Sequence, residues 1–147
     1  MKISAATRSR ARVFAMQAIY QWQMTGNPIH LIEAGFHADN DMSKVDTDYF
    51  QQIVRGVPSQ VAELDSLFQP YLRTLRLEKL DPVTKALLRQ ACFEFKSRAD
   101  VPYKVVINEA VNLAKKYGAE DSHKFVNGVL DKVAGDLRSL EVSAAKK

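Results

Sequence analysis

The sequence predicts an all-α fold of about seven helices, and three observations support this prediction. Six glycines and five prolines among 147 residues are few against an average usage of roughly 12% for the two together. The apolar fraction of 46% and the charged fraction of 26% are ordinary for a globular protein. Apolar residues recur at helical spacing between residues that start or end helices. The composition therefore favours long helices over many short strands and argues against an all-β sandwich or barrel.

The N-terminal third should contain two helices. The first begins near Ala5–Thr7 and ends at about Thr25, because Gly26-Asn27-Pro28 is a helix-terminating sequence. Its apolar residues cover most of the circumference, so we expect this helix to be largely buried after its basic start. A shorter helix is expected after Pro28, up to Phe36.

The middle of the chain carries one apolar face that prolines interrupt. Residues 38–45 are polar and predict a loop, and Asp46 is a typical N-cap. Apolar residues then recur at helical spacing as far as Tyr71. Pro58 and Pro70 each remove a backbone donor, so we expect two or three helical segments in this region.

Three further helix starts follow. Asp81-Pro82 combines a cap with proline at the first helical position. Pro102 opens another helix, which Gly118 should end as a C-cap. Asp121-Ser122 should cap the last helix. Residues 139–147 are polar and predict a flexible tail.

The net charge of +4 is concentrated at the N-terminus. The first acidic residue is Glu33, and the 32 residues before it hold four basic side chains: Lys2, Arg8, Arg10 and Arg12. A local basic patch on an otherwise balanced chain indicates a polyanionic partner, of which nucleic acid is the commonest. A solubilising N-terminal tail is the alternative.

A basic and aromatic face on the first helix is a candidate for nucleic-acid binding. Arg8 and Arg12 would lie one turn apart on one face, while Arg10 points elsewhere. Arginine can bind phosphate bidentately and stack on bases. Tyr20 is a candidate platform for an unpaired base, whereas Trp22 is expected to fill the core.

A second candidate is the segment Gly118–Phe125, which combines glycine, capping residues, a lysine and an aromatic ring at one helix start. Exposed backbone donors at a helix N-terminus can bind phosphate. The alternative is an ordinary capped helix in which Asp121 satisfies its own backbone. Gly128, in the middle of the same helix, costs about 1 kcal/mol relative to alanine, which suggests close helix packing.

Catalytic and metal-binding patterns are scarce. The three histidines lack the spacing of a zinc-binding helix, and the six glycines are isolated rather than grouped in a phosphate loop. Asp121-Ser122-His123 has the residue types of a triad, but neighbours on a helix point about 100° apart. The single cysteine, Cys92, lies in a dense apolar run and is expected to be a core residue. Nothing here supports an enzyme, a metal site, a cofactor or a membrane span.

Several stretches together resemble the NusB family of bacterial transcription antitermination factors. They are RSRAR at 8–12, AMQAIYQW at 15–22, KALLR at 85–89, FEF at 93–95, VPYKVVINEA at 101–110 and FVNGVLD at 125–131. The resemblance covers about residues 2–138. It implies an all-helical fold of two small bundles packed across each other, formed by residues 1–75 and 76–138, with 139–147 as the tail.

The resemblance also implies a function. Members of this family are non-enzymatic proteins that pair with NusE, a small-subunit ribosomal protein, and bind the single-stranded boxA RNA of ribosomal RNA operons. With other Nus factors and RNA polymerase they support processive transcription, which places this chain in the cytoplasm.

Matching positions imply eight RNA contacts: Lys2, Arg8, Arg10, Arg12, Tyr20, Asp121, Lys124 and Phe125. Glu78 and Thr84 are assigned in the same way to the NusE surface. Two departures weaken these assignments, because Ser9 interrupts a basic run that is often continuous and Thr84 replaces an acidic residue of some relatives.

Two other interpretations remain, and a third is set aside. The chain could be a helical protein-interaction module without specific RNA binding, in which the arginines only solubilise it. It could be a thiol enzyme that uses Cys92. The N-terminal module of an RNA-cytosine methyltransferase shares the fold, but no catalytic domain follows here.

Overall fold

The computed structural model describes residues 3–146, and all regular structure in that range is helical. Eight α-helices follow one another: α1 (Ala5–Thr25), α2 (Ile29–Asp39), α3 (Thr47–Ser59), α4 (Val61–Phe68), α5 (Pro82–Ser97), α6 (Tyr103–Tyr117), α7 (Ser122–Leu137) and α8 (Ser139–Ala145). Two short 3-10 helices, Gln69–Tyr71 and Leu77–Lys79, lie between α4 and α5. The predicted all-α class is confirmed.

The chain divides into two compact units, one ending at Gln60 and the other beginning at Val61. The resemblance implies a boundary near residue 75 instead. The difference lies in α4, which packs on α5 and α7 and so belongs with the C-terminal helices. Asp65 of α4 and Arg89 of α5 form a two-pronged ion pair, with oxygen-to-nitrogen distances of 2.8 and 2.9 Å.

The N-terminal unit consists of α1 packed against α2 and α3. A capping box between Ser4 and Thr7 starts α1, and Gly26 ends it in the left-handed conformation at φ 69°. Both limits of α1 are as predicted. Helix α2 extends to Asp39, past the predicted end, because the Asn40 side chain donates to the Phe36 carbonyl at 3.1 Å and satisfies the last turn.

Two prolines, Pro58 and Pro70, lie close to helix ends, as the sequence predicts. Pro58 lies in the last turn of α3, which ends at Ser59, and α4 resumes at Val61. Pro70 lies in the 3-10 helix that follows α4. The Asp46 carboxylate accepts a hydrogen bond from the Tyr49 backbone N–H at 3.1 Å, so the predicted N-cap of α3 is confirmed.

The C-terminal unit is built around α5, which packs against α4, α6 and α7. Asp81 caps α5 by accepting from the Thr84 backbone N–H, as predicted. Most of α5 is buried, namely Thr84, Ala86, Leu87, Leu88 and every residue from Gln90 to Phe95. This helix therefore provides the core against which α7 is positioned.

Arg138, between α7 and α8, joins the end of α5 to the last two helices. Its side chain is 8% exposed. Its guanidinium donates at 2.9–3.4 Å to four backbone carbonyls, those of Glu94, Phe95, Arg98 and Val101. It also pairs with Glu141 at 2.8 Å. The Phe95 carbonyl lies in the last turn of α5, where helical partners run out. The Glu94 and Arg98 carbonyls each accept a backbone N–H as well, from Arg98 and Val101.

Helix α8 occupies the segment for which the sequence predicts a flexible tail. Glu141 accounts for the difference, because its second carboxylate oxygen accepts from the Tyr103 backbone N–H at 2.7 Å. Pro102, the N-cap of α6, supplies no side-chain hydrogen bond, so Glu141 caps α6 from elsewhere in the chain. The Tyr103 N–H, followed by Arg138, lowers the pKa of Glu141.

Replacing Arg138 with methionine removes all of these donors. The Glu94 and Arg98 carbonyls keep their backbone N–H partners, but the carbonyls of Phe95 and Val101 lose the donor that Arg138 supplies. Each unpaired buried acceptor costs about 1–3 kcal/mol, so we expect the free energy of unfolding to fall by about 3 kcal/mol. The Tm should fall by roughly 6–12 °C, measured by circular dichroism. Arg76→Met is the matched control, because Arg76 is exposed. Equal shifts in the two variants would contradict this role.

The Glu141 contacts also predict a pH dependence. A carboxyl group whose pKa is lowered on folding stabilises the folded chain above its unfolded pKa of about 4.3. That stabilisation is lost as the pH falls through the folded pKa. We therefore expect the difference in Tm between the parent chain and Glu141→Gln to be largest at neutral pH and to shrink below about pH 4. A constant difference across this range would show that ionised Glu141 does not hold α8.

Candidate nucleic-acid interface

The start of α1 brings Arg8 and Arg12 over one aromatic ring. Their guanidinium carbons lie 4.8 and 5.1 Å from the centroid of the Tyr49 ring, which confirms that the two share a face. Arg12 is only 2% exposed, and one of its nitrogens lies 3.4 Å from the Tyr49 hydroxyl. Arg12 therefore stabilises the contact between α1 and α3 and does not present its charge at the surface.

Asp46 is a buried residue that contacts both α1 and α3 in the same region. It is 4% exposed, and its backbone N–H donates to the Thr7 carbonyl at 3.1 Å. One carboxylate oxygen caps α3, and the other lies 3.5 Å from Nε of Arg8. Arg8 keeps 28% of its side chain exposed. Its charge is thus partly compensated by Asp46 but still reaches the surface.

Arg10 points away from this cluster, as predicted. It is exposed, and one guanidinium nitrogen donates to the Lys44 carbonyl at 3.1 Å. A carbonyl does not cancel the charge, so Arg10 remains available for an anion. Lys2, also assigned to this basic start, lies outside the described residues.

Tyr20 lies farther along α1 and is 38% exposed. Ten residues of helix separate it from Arg10, a rise of about 15 Å, so a strand contacting both would span several nucleotides. Trp22, expected in the core, is half-buried instead.

The start of α7 differs from the predicted cap. Asp121 has a φ of 62°, and its side chain makes no capping hydrogen bond. Its exposed carboxylate lies 3.6 Å from the Lys124 ammonium, so the prediction that it caps α7 is wrong. Gly118 is extended rather than left-handed. Glycine is favoured there because a Cβ would lie 2.8 Å from the Ala114 carbonyl oxygen, a backbone atom that cannot move aside as a side chain can.

Lys124 and Phe125 form part of a concave surface within the C-terminal unit. The cavity has a volume of about 310 Å³ and is lined by Tyr71, Arg73, Lys124, Phe125, Gly128, Val129 and Lys132. Sequence reasoning missed five of these residues. The sequence contains one signal of this shared surface, because Lys124, Gly128 and Lys132 are spaced one helical turn apart along α7.

The two residues assigned to a protein partner differ in exposure. Glu78 is exposed in the 3-10 helix Leu77–Lys79. Thr84 is 4% exposed, and its hydroxyl and backbone N–H both bond the Asp81 carboxylate, at 3.2 and 3.1 Å. Thr84 therefore completes the cap of α5 and does not offer its hydroxyl at the surface.

Cys92 is fully buried, as expected of a core residue. Burial, followed by the charge of Asp65, raises the pKa of its thiol, the opposite of what a nucleophilic cysteine requires. Within residues 3–146, no three His, Cys, Asp or Glu side chains are grouped as metal ligands would be. In the same range no helix is both long enough and apolar enough to cross a membrane.

Comparisons with known proteins agree over nearly the whole chain. The model of the NusB family matches residues 9–135. A transcription antitermination protein NusB of Teredinibacter turnerae is 74% identical over 99% of both chains. That of Saccharophagus degradans is 65% identical over 99% of this chain and 97% of its own. A solved structure of T. maritima NusB superposes with a TM-score of 0.77 at 31% identity, covering 91% of this chain and 92% of that one.

The different burial of Arg12 and Arg10 predicts different effects on folding. Arg12→Ala removes a buried ring contact and a hydrogen bond, so we expect the free energy of unfolding to fall by about 2 kcal/mol. Arg10→Ala should change it by less than about 0.5 kcal/mol. Urea unfolding measures both values. If both variants lost the same stability, the buried position of Arg12 would be wrong.

Proposed function

The chain belongs to the NusB family of transcription antitermination proteins, and from that premise we propose that it is an RNA-binding adaptor that pairs with NusE on boxA RNA. The observation that carries this proposal is the family match over residues 9–135. That range contains Arg10, Tyr20 and the start of α7. The adaptor binds its partners without catalysing a reaction and acts in the cytoplasm, together with other Nus factors and RNA polymerase.

In this proposal the residues of α1 contribute to RNA binding in different ways. Arg10, exposed and facing only a neutral carbonyl, contacts a phosphate and supplies salt-dependent affinity. Arg8 contributes more weakly, because Asp46 compensates part of its charge. Tyr20 stacks on an unpaired base. Arg12 acts indirectly, because it fixes Tyr49 and hence the position of the helix start.

In the C-terminal unit, Lys124 and Phe125 provide a second pairing of charge and ring. The Lys124 side chain is 73% exposed, so little desolvation opposes a phosphate contact. Asp121 holds the Lys124 ammonium near the start of α7 and accepts hydrogen bonds from exposed base edges. Single-stranded RNA is recognised by this combination of positive charge and aromatic faces.

Protein contacts to NusE involve the exposed Glu78, and Thr84 supports that surface by stabilising the start of α5. Binding of NusE and RNA is mutually favourable, so each partner raises the affinity for the other by the same factor.

A helical interaction module without specific RNA binding is the second candidate. One observation favours it, namely that Arg8 and Arg12 are engaged inside the protein by Tyr49 and Asp46. In this alternative the arginines at the start of α1 only stabilise the fold, and the chain binds protein partners but no RNA.

Titration of a boxA RNA at several salt concentrations, with and without NusE, separates the two candidates. Two or three phosphate contacts predict a log–log salt slope of roughly −1.4 to −2.1. We expect NusE to tighten binding and Arg10→Ala to weaken it while reducing the slope by roughly 0.7. Lys115→Ala, at an exposed lysine of α6, should leave both values unchanged. Binding of NusE but of no RNA would favour the interaction module.

A further inference from the structure

A cavity lies beside α7 in the C-terminal unit. An RNA strand that bound only to a flat protein surface would not need such a cavity. One side is the segment after α4, which contributes Tyr71 and Arg73, and the other is the face of α7 that carries Gly128 and Lys132. Its volume of about 310 Å³ is at the lower end of small-ligand pockets, which span roughly 300–1,000 Å³. The space therefore suits one small group rather than a long segment of chain.

The charge of the lining is of one sign. Arg73, Lys124 and Lys132 border the cavity, and none of its seven lining residues is acidic. The Asp121 carboxylate, 3.6 Å from the Lys124 ammonium, compensates part of that one charge. Arg73 is exposed and holds a φ of 60°, uncommon for a residue with a side chain and a conformation that concentrates at ligand sites. A concave surface lined by cations raises the local concentration of anions.

Two rings supply an apolar wall. Phe125 and Tyr71 both line the cavity, and the Lys132 ammonium lies 5.8 Å from the Tyr71 ring centroid. The Tyr71 hydroxyl donates to the Asp136 carboxylate, which holds the ring in one orientation. The same bond raises the pKa of Tyr71, so the ring remains neutral.

Gly128 also lines the cavity and has no side chain to occupy it. It is exposed, and a Cβ built on it would meet no atom within 4 Å. Close helix packing, which the sequence suggests for this glycine, is therefore not its role. A side chain at this position would project into the cavity instead, which gives a reason for glycine at a mid-helix position where alanine is the more stable residue.

We propose that this cavity takes a single nucleotide of the bound RNA, flipped out of the strand. The base stacks against Phe125 and Tyr71, and its phosphate lies near Arg73 and Lys132. This inference rests on the proposed function and deepens it, because it assigns one base of the RNA to one place on the protein. Loss of one base stacked on an aromatic side chain typically weakens binding by about tenfold or more.

Gly128→Leu tests the proposal, because leucine fills the cavity without removing any of its charges. Gly135→Leu is the matched control, since Gly135 lies on the same helix, is exposed and also has open space at its Cβ, but does not line the cavity. We expect Gly128→Leu to weaken boxA binding about tenfold and Gly135→Leu to leave it unchanged. Gly128→Ala, which favours the helix, provides a folded variant with a smaller obstruction.

A series of RNAs, each lacking one base, identifies the inserted nucleotide. One abasic position should weaken binding by the parent chain about tenfold and have no further effect on Gly128→Leu, because both changes remove the same contact. Gly128→Ala should show an intermediate effect. Lys132→Gln should reduce the salt slope by roughly 0.7. If the parent chain binds RNA and Gly128→Leu binds it equally well, the cavity is not a nucleotide site and the proposed function stands. If the parent chain binds no boxA RNA with or without NusE, both proposals fail.

Discussion

The guanidinium of Arg138 holds together the end of the buried helix α5 and the start of α8. The backbone carbonyls of Glu94, Phe95, Arg98 and Val101 converge on it, and Glu141 balances its charge from the solvent side. Lysine could not replace it, because a single ammonium has three donors and no planar fork with which to reach carbonyls on two segments. The arrangement of the C-terminal unit thus depends on one cation that is shielded from any ligand.

The N-terminal unit uses its ionic groups in a similar way. Asp46 starts α3 and accepts the charge of Arg8, and its backbone binds Thr7 at the beginning of α1. Of the three arginines that sequence reasoning treats as one basic patch, Arg12 is committed to Tyr49. The surface charge of this helix is therefore smaller than its composition suggests.

Local signals in the sequence predict most of the helix limits. The caps at Asp46 and Asp81 act on residues three positions away, so they can be recognised without knowledge of the fold. The burial of Arg12 depends on Tyr49, 37 positions away, and α8 depends on the bond of Glu141 to Tyr103, 38 positions away. The left-handed backbone of Asp121 is another feature that composition cannot supply. The candidate site was accordingly predictable by residue type, but the cavity was not, because Tyr71 and Arg73 reach it from a distant segment.

The burial of Cys92 has a practical consequence. Its thiol lies inside the core of α5 with a raised pKa, so reagents in solution reach it only when that core opens. Because the sequence contains no other cysteine, the rate of thiol modification reports one event, the opening of the C-terminal core. The protein therefore carries its own probe of conformational opening, and no cysteine has to be introduced in order to use it.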